Sequence, residues 1–350
     1  MRRRWSASPA AGGVGLGGWV ASELGDFRLI LGGDGGDNRL VMGDPRPTKV
    51  VGGGAGGSFA LGSPRGPWVM RQDWRDLLFL HWEWDAEAIQ ATLPRGLTVD
   101  TFDDGGVSGP RAYLGVVPFQ MQRVLPRGLA GWPRRGVLGR GGLRRGVPGV
   151  SSFGELNLRT YVRGPDGRPG VWFYSLDAHQ RLAVWLARRL FALPYHYARI
   201  YQVEPTRAGR ERRIEYHWSR RGSTQTVDRG GTPRPAAFEY RVEVDGTPRP
   251  TTAGTLDFWL VERYLLFSRR PLRDFGSHDP EPTEAEGPRE RLYVGRVEHE
   301  PYPLRPVTLD RYEPSILSLN GFDPPTTPPV SVLWSPGVDV EVYRLHEVDA

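Results

Sequence analysis

Cysteine is absent from the 350 residues, which excludes disulfides, thiolate metal sites and a cysteine nucleophile. Lysine is nearly absent: of 46 basic residues only Lys49 is a lysine, and the rest are arginines. A Schiff base needs a primary amine, so nothing beyond residue 49 can form one. No apolar run approaches the roughly 18 residues that a membrane span needs. There is no P-loop, no phosphate-binding G-x-G-x-x-G between strand and helix, and no pair of histidines at metal spacing on one helix. "GVSG" around Ser108 lacks the G-x-S-x-G spacing of a serine elbow. No metal, nucleotide or other cofactor is therefore expected.

What is abundant is glycine, 46 residues, and proline, 32, both unevenly placed. Residues 1–66 carry "GGVGLGG", "LGGDGGD" and "VVGGGAGGSFALG". Such tracts bury too little apolar surface to offset the entropy of ordering. They read as a poorly ordered leader, and a start at Met42 or Met70 fits that reading. Leading arginines hint at an export signal, but glycines interrupt its apolar part. The net charge of +6 invites a nucleic-acid reading. Yet residues 123–145 alone hold 7 arginines and no acid. A nucleic-acid groove should belong to the folded core rather than to one Gly-rich loop, so no nucleic-acid partner is expected. Residues 127–150 read as an Arg/Gly-rich insertion.

From Trp68 the pattern changes. "LLFLHWEW" is strand-like, and "DAEAIQATLP" is a short helix with Asp85 as N-cap and Pro94 as stop. "GLTVDTFDDGG" and "RAYLGVVPFQMQRV" read as two strands joined by a turn. "FGELNLRTYV" and "PGVWFYSLD" form a hairpin around "RGPDGRPG". The longest helix is expected over 177–192, capped by Asp177, with Leu182, Trp185, Leu186 and Leu190 on one face. "RIEYHWSRR" and "AFEYRVEV" follow as strands, "TLDFWLVERYLLFS" (255–268) as a helix capped by Thr255, and "RLYVGRVEHEPYPL" and "GVDVEVYRL" as late strands. Many strands in hairpins with three or four interspersed helices define an α+β domain on a largely antiparallel, curved or closed sheet. One domain is expected over 68–350.

"ELNLRTYV" is the stretch richest in chemistry. In a strand, Glu155, Asn157, Arg159 and Tyr161 share one face, and Leu156, Leu158 and Val162 the other. A core face backed by a solvated face is one reading. A lined cavity is the other, because Asn and Tyr between charges suit it better. Glu155 and Arg159 stand about 13 Å apart along a strand, so they can address one ligand from two sides. After Pro194 come Tyr195, His196 and Tyr197, three polar rings in a row. Alternation sends Tyr195 and His196 to opposite faces. His81 and His299 sit among aromatics near strand ends, where a structural histidine is the simpler reading. His217 and His346 read as ordinary strand residues.

The combination "FLHWEW…LPRGLTVDTFDDGG…AYLGVVPFQM", "FGELNLRTYV…GRPGVWFYSLDAHQRLAVWLARRLFALPYHYARI", "VERYLLFS" and "EHEPYPL" closely resembles the YqjF-like family of bacterial proteins over roughly residues 68–322. That family is similar to the acetoacetate decarboxylase superfamily. The resemblance implies a cone-shaped, mostly antiparallel β-barrel with packed helices and an internal ligand cavity. It also implies that Glu155 matches the pocket glutamate and that Tyr195 and His196 stand where the superfamily's namesake has its lysine pair. Neither residue can condense with a ketone. The expected catalytic set is therefore Glu155, Tyr195 and His196, with Asn157, Arg159, Tyr161 and Tyr197 binding the ligand.

These residues suit a cytoplasmic protein that holds a small oxo- or carboxylate-bearing molecule, with lyase, isomerase or hydratase chemistry and no Schiff base. A non-catalytic binding or sensor protein on the same barrel is the alternative. A third reading has the Arg/Gly insertion docking an acidic partner. No membrane partner is expected, and a homo-oligomer stays open. Borohydride trapping with acetoacetate should leave the protein mass unchanged; a stable adduct within residues 68–350 would overturn this alignment of motifs.

Overall fold

The computed structural model describes residues 49–53, 57–105, 109–130, 152–180, 193–204, 207–208, 210–220, 237–243, 245, 247–271, 290–313 and 315–349. Its strands run in order β1 (Lys49–Gly53), β2 (Gly57–Leu61), β3 (Met70–Trp84), β4 (Thr98–Val99), β5 (Ala112–Pro126), β6 (Ser152–Arg163), β7 (Pro169–Ala178), β8 (Tyr195–Val203), β9 (Arg207–Ala208), β10 (Glu211–Arg220), β11 (Phe238–Glu243), β12 (Leu265–Pro271), β13 (Glu290–Glu298), β14 (Arg305–Pro306), β15 (Thr308–Tyr312), β16 (Ser331–Val342) and β17 (His346–Val348). Four short helices accompany them: α1 (Ala86–Gln90), α2 (Arg127–Ala130), α3 (Leu256–Val261) and α4 (Ser315–Ser318). The predicted α+β class, dominated by antiparallel strands, is what the described residues form.

The main sheet has 15 strands. β7 pairs with β12 in parallel, and β12 with β13 antiparallel. From there β13, β16, β3, β5, β6 and β7 follow one another antiparallel. The pairings thus return to β7 and close a circuit of seven strands. From β7 the sheet also extends as a wing through β8, β10, β11 and β15.

Strand alternation explains the two main cores. Leu77 and Phe79 on β3 join Val117 and Phe119 on β5, Tyr161 on β6, Leu176 on β7, Val297 on β13 and Val340 on β16 in one buried cluster. Almost every strand of the circuit contributes, so this is its inner face, and Trp259, Leu260 and Val261 of α3 pack onto it. The intervening residues Leu78, Leu80, Trp82, Leu156 and Leu158 point the other way. They meet Ile200, Tyr216, Trp218 and Phe238 of the wing. β3, β5 and β6 are therefore covered on both sides.

Several expectations change. Lys49–Gly53 and Gly57–Leu61 pair antiparallel, with Val51 opposite Phe59, so this part of the Gly-rich leader is a two-stranded hairpin. β-formers such as Val and Phe between the glycines supply the propensity. Residues 1–48 lie outside the described residues. Of "GLTVDTFDDGG" only β4 is strand, followed by an isolated bridge from Phe102 to Arg111. Of the Arg/Gly insertion, 127–130 form α2 and 131–150 lie outside the described residues.

Asp177 does not cap a helix. It continues β7, paired with Leu156 on one side and His196 on the other. Its oxygens accept from Trp218 Nε1 (2.8 Å) and Arg220 Nη1 (3.1 Å) instead of from helix N–H groups. The rest of the predicted helix, 181–192, lies outside the described residues. "TLDFWLVERYLLFS" divides into α3 and β12. Thr255 is the N-cap, as expected, accepting from Phe258 N, but the helix stops at Glu262. The Glu262 carboxylate bonds the Tyr302 N–H (2.8 Å) and the Tyr264 hydroxyl (2.6 Å), which favours the break. Asp85 caps α1, accepting from Ala88 N at 2.7 Å, and Ile89 is buried.

The parallel junction of β7 with β12 tolerates no side chain at Gly170. A β-carbon there would lie 2.7 Å from the Phe267 ring and 2.8 Å from the Leu265 carbonyl. Gly170→Ala should cost about 1–3 kcal/mol in urea unfolding. An unchanged midpoint would contradict so close a junction.

Candidate functional site

β6 lies between β5 and β7 and presents Glu155, Asn157, Arg159 and Tyr161 in turn to the inner face. All four are buried, so the reading in which one face of this strand is solvated does not hold. A register shift against β7 falls between Leu158 and Arg159, yet the alternation survives. Leu156 and Leu158 stay with the wing, and Tyr161 stays inside.

At one end of this row the Tyr195 hydroxyl donates to Glu155 Oε2 at 3.1 Å. Tyr195 opens β8 immediately after Pro194 and is buried with the inner cluster. Burial pushes the Glu155 carboxyl up to about 8; the Tyr195 hydrogen bond opposes this and nearby Asp177 adds to it. Burial also holds the Tyr195 hydroxyl well above its usual range, and Glu155 reinforces the effect. The result is a carboxyl poised near neutral pH with a phenol bonded to it.

At the other end stands Arg159, 8% exposed. Its Nη2 donates to the Leu260 carbonyl of α3 at 3.2 Å, and its Nε has no partner. The guanidinium lies 5.7 Å from the centres of both the Phe79 and Tyr161 rings. Among the described residues no carboxylate forms an ion pair with it. Nearby Arg263 differs in this respect. It donates to Asp100 Oδ2 at 2.8 Å, and Asp100 also holds Arg163 at 2.8 Å.

His81 completes this end. On β3 it pairs with Gly115 of β5, and Gly115 pairs with Arg159 of β6. A β-carbon on Gly115 would lie 3.1 Å from His81 Cδ2, 3.2 Å from the Tyr161 hydroxyl and 3.3 Å from Arg159 Cγ. The missing side chain therefore lets three polar residues from two flanking strands lean together. Both His81 nitrogens, Asn157 Oδ1 and Trp259 Nε1 are buried without hydrogen-bond partners among the described residues. Burial, reinforced by the Arg159 charge, pushes the His81 pKa well below its usual value, so the ring is neutral. Burial raises the Tyr161 hydroxyl, and the guanidinium groups of Arg159 and Arg263 oppose it.

The structure thus gathers Glu155, Asn157, Arg159, Tyr161 and Tyr195 on one face. It does not bring His196 or Tyr197 to the Glu155–Tyr195 pair. His196 is half-buried and alternates to the other side of β8, while Tyr197 is 39% exposed with its ring 6.2 Å from His179. Sequence reasoning took His81 as a structural histidine and passed over Gly115. The available signal was the pattern Leu77, Phe79, His81: a lone polar residue in the alternation of a strand buried on both sides.

Among the described residues no group of His, Asp and Glu could hold a metal ion, and no helix is long and apolar enough to cross a membrane. The model of the DUF2071 family, described as "Uncharacterized conserved protein", matches residues 71–339. The chain belongs to that family. It is similar to the uncharacterized protein YqjF of Bacillus subtilis (strain 168), 30% identical over 267 residues, covering 76% of this chain and 88% of YqjF. Among solved structures it is similar to an acetoacetate decarboxylase-like enzyme from Sphingomonas wittichii RW1, with a TM-score of 0.47 and 14% identity over 81% of this chain and 95% of that one. It is likewise similar to the acetoacetate decarboxylase of Legionella pneumophila subsp. pneumophila str. Philadelphia 1, with a TM-score of 0.47 and 13% identity over 83% of this chain and 93% of that one.

The Glu155 carboxyl gives a pH signature. Its folded pKa of about 8 exceeds the ordinary 4.5, so between those values the native state holds more protons than the unfolded state. Its contribution to stability is complete below about 4.5 and is lost as the pH rises through 8. Glu155→Gln, which stays neutral, should gain stability relative to wild type from about pH 5 to 8, with a constant gap above. Urea unfolding from pH 5 to 9 checks this; parallel curves for the two proteins would contradict it.

Proposed function

We propose that the closed strand circuit is an acetoacetate decarboxylase-like barrel, formed by one domain over 68–350, whose interior binds a small organic carboxylate. Arg159 holds the carboxylate beside Tyr161, and Asn157 lies between it and Glu155 and Tyr195. That pair performs acid/base chemistry on an oxo or hydroxyl centre further along the ligand, as a lyase, isomerase or hydratase without a Schiff base. The protein acts in the cytoplasm.

The observation that carries this reading is the burial of Arg159 without a carboxylate partner among the described residues. An isolated buried charge costs several kcal/mol, and an anion bound beside it offsets that cost. The guanidinium fork matches a carboxylate in shape as well as charge. Glu155 and Tyr195 favour chemistry over simple binding, because a titratable pair in hydrogen-bond reach with a raised pKa marks a functional group more often than a packing residue. Either member of the pair can then serve: the neutral carboxyl gives a proton, and the ionised fraction takes one while the phenol steadies it.

Arg159→Met tests the reading. It fills similar volume and removes the unpaired charge. Without ligand the variant should unfold at the same temperature as wild type or higher. Its binding of small carboxylates in calorimetry should weaken by roughly 10- to 100-fold, the loss of a charge-assisted hydrogen bond. A large loss of stability with binding retained would return Arg159 to a purely structural role.

A further inference from the structure

We propose that the Arg159 end of the interior is built for a 2-hydroxy acid, with His81 recognising the hydroxyl beside the carboxylate. The inference rests on the interior carboxylate site above and narrows its ligand. His81 and Arg159 flank Gly115 across three adjacent strands. His81 Cδ2, the Tyr161 hydroxyl and Arg159 Cγ all lie within 3.3 Å of one point, where the Gly115 side chain would be. The three residues therefore crowd round one place on the inner face.

The donors and acceptors left open at this place are unequal to a plain carboxylate. Arg159 Nε and Trp259 Nε1 are donors and suit carboxylate oxygens. A neutral imidazole adds one donor and one acceptor, and both His81 nitrogens are open. Asn157 Oδ1 is a further open acceptor two residues along β6. A 2-oxo acid brings only acceptors and would leave the basic His81 nitrogen buried and dry, which is costly. A hydroxyl both donates and accepts. It gives its hydrogen to His81 and takes one from Tyr161. His81 is fully buried beside a guanidinium, an environment that keeps it neutral and able to accept.

Calorimetry on the full chain at neutral pH with lactate (both enantiomers), pyruvate and propionate separates the possibilities. One lactate enantiomer should bind at least about tenfold tighter than pyruvate or propionate, since a site shaped for a hydroxyl penalises analogues that lack it. His81→Phe keeps a ring beside Phe79 and should bring the three acids to within about twofold. Gly115→Ala removes no polar group, yet pushes His81, Tyr161 and Arg159 apart by tenths of an ångström, so it should also erode the lactate preference. Near-UV circular dichroism of each variant should match wild type. Equal binding of lactate, pyruvate and propionate to the wild type would overturn the hydroxy-acid assignment and leave the carboxylate site standing. If none of the acids binds, and Arg159→Met leaves the unfolding temperature lower, the carboxylate site falls and this inference falls with it.

Discussion

A guanidinium held inside a closed circuit of strands, with one carbonyl as its hydrogen-bond partner, is the constraint around which the interior is arranged. Arg159 is 8% exposed and donates to the Leu260 carbonyl. Everything near it is adapted to a positive charge. Phe79 and Tyr161 offer ring faces, His81 is neutral, and Gly115 withdraws its side chain so that these groups can approach. Arg263, whose guanidinium lies 5.1 Å from the centre of the same Tyr161 ring, is paired with Asp100. Among the described residues a carboxylate pairs with Arg263 and none pairs with Arg159.

The same strand delivers the opposite polarity at its other end. Glu155 and Arg159 are four residues apart, about 13 Å along β6. Glu155 is kept largely protonated at neutral pH by burial, and Tyr195 is bonded to it. The interior therefore has a cationic end and a neutral, proton-carrying end, with Asn157 between them. A ligand with an anionic head and a reactive centre a few bonds away matches that polarity. The absence of any lysine after Lys49 removes the imine route for a side chain beyond it.

Much of this was legible in the sequence because strand alternation is strict. The row Glu155, Asn157, Arg159, Tyr161 followed from period two alone, and so did the opposite faces of Tyr195 and His196. The α+β class and the β6–β7 hairpin were likewise readable, since turn residues bracket that hairpin, and so were the strands β10 and β11. What failed were the places where tertiary partners overrode a local signal. Asp177 looks like an N-cap before an apolar amphipathic run, but Trp218 and Arg220, forty residues on, claim its oxygens. Residues 255–268 hold nine apolar residues in fourteen, so neither period stands out, and the bonds of Glu262 to Tyr264 and Tyr302 mark the break. His81 was visible as an odd residue, but its significance depends on Gly115 and Arg159 in two other strands. No spacing within one segment can show such a convergence.

The central claim is that Arg159 is paired by a ligand rather than by the protein. A crystal structure of the full chain, grown with lactate, tests it directly. The account predicts an ordered carboxylate against Arg159 Nε, with its hydroxyl between His81 and Tyr161. A site holding no anion, with the Arg159 guanidinium closed onto a protein carboxylate, would contradict it.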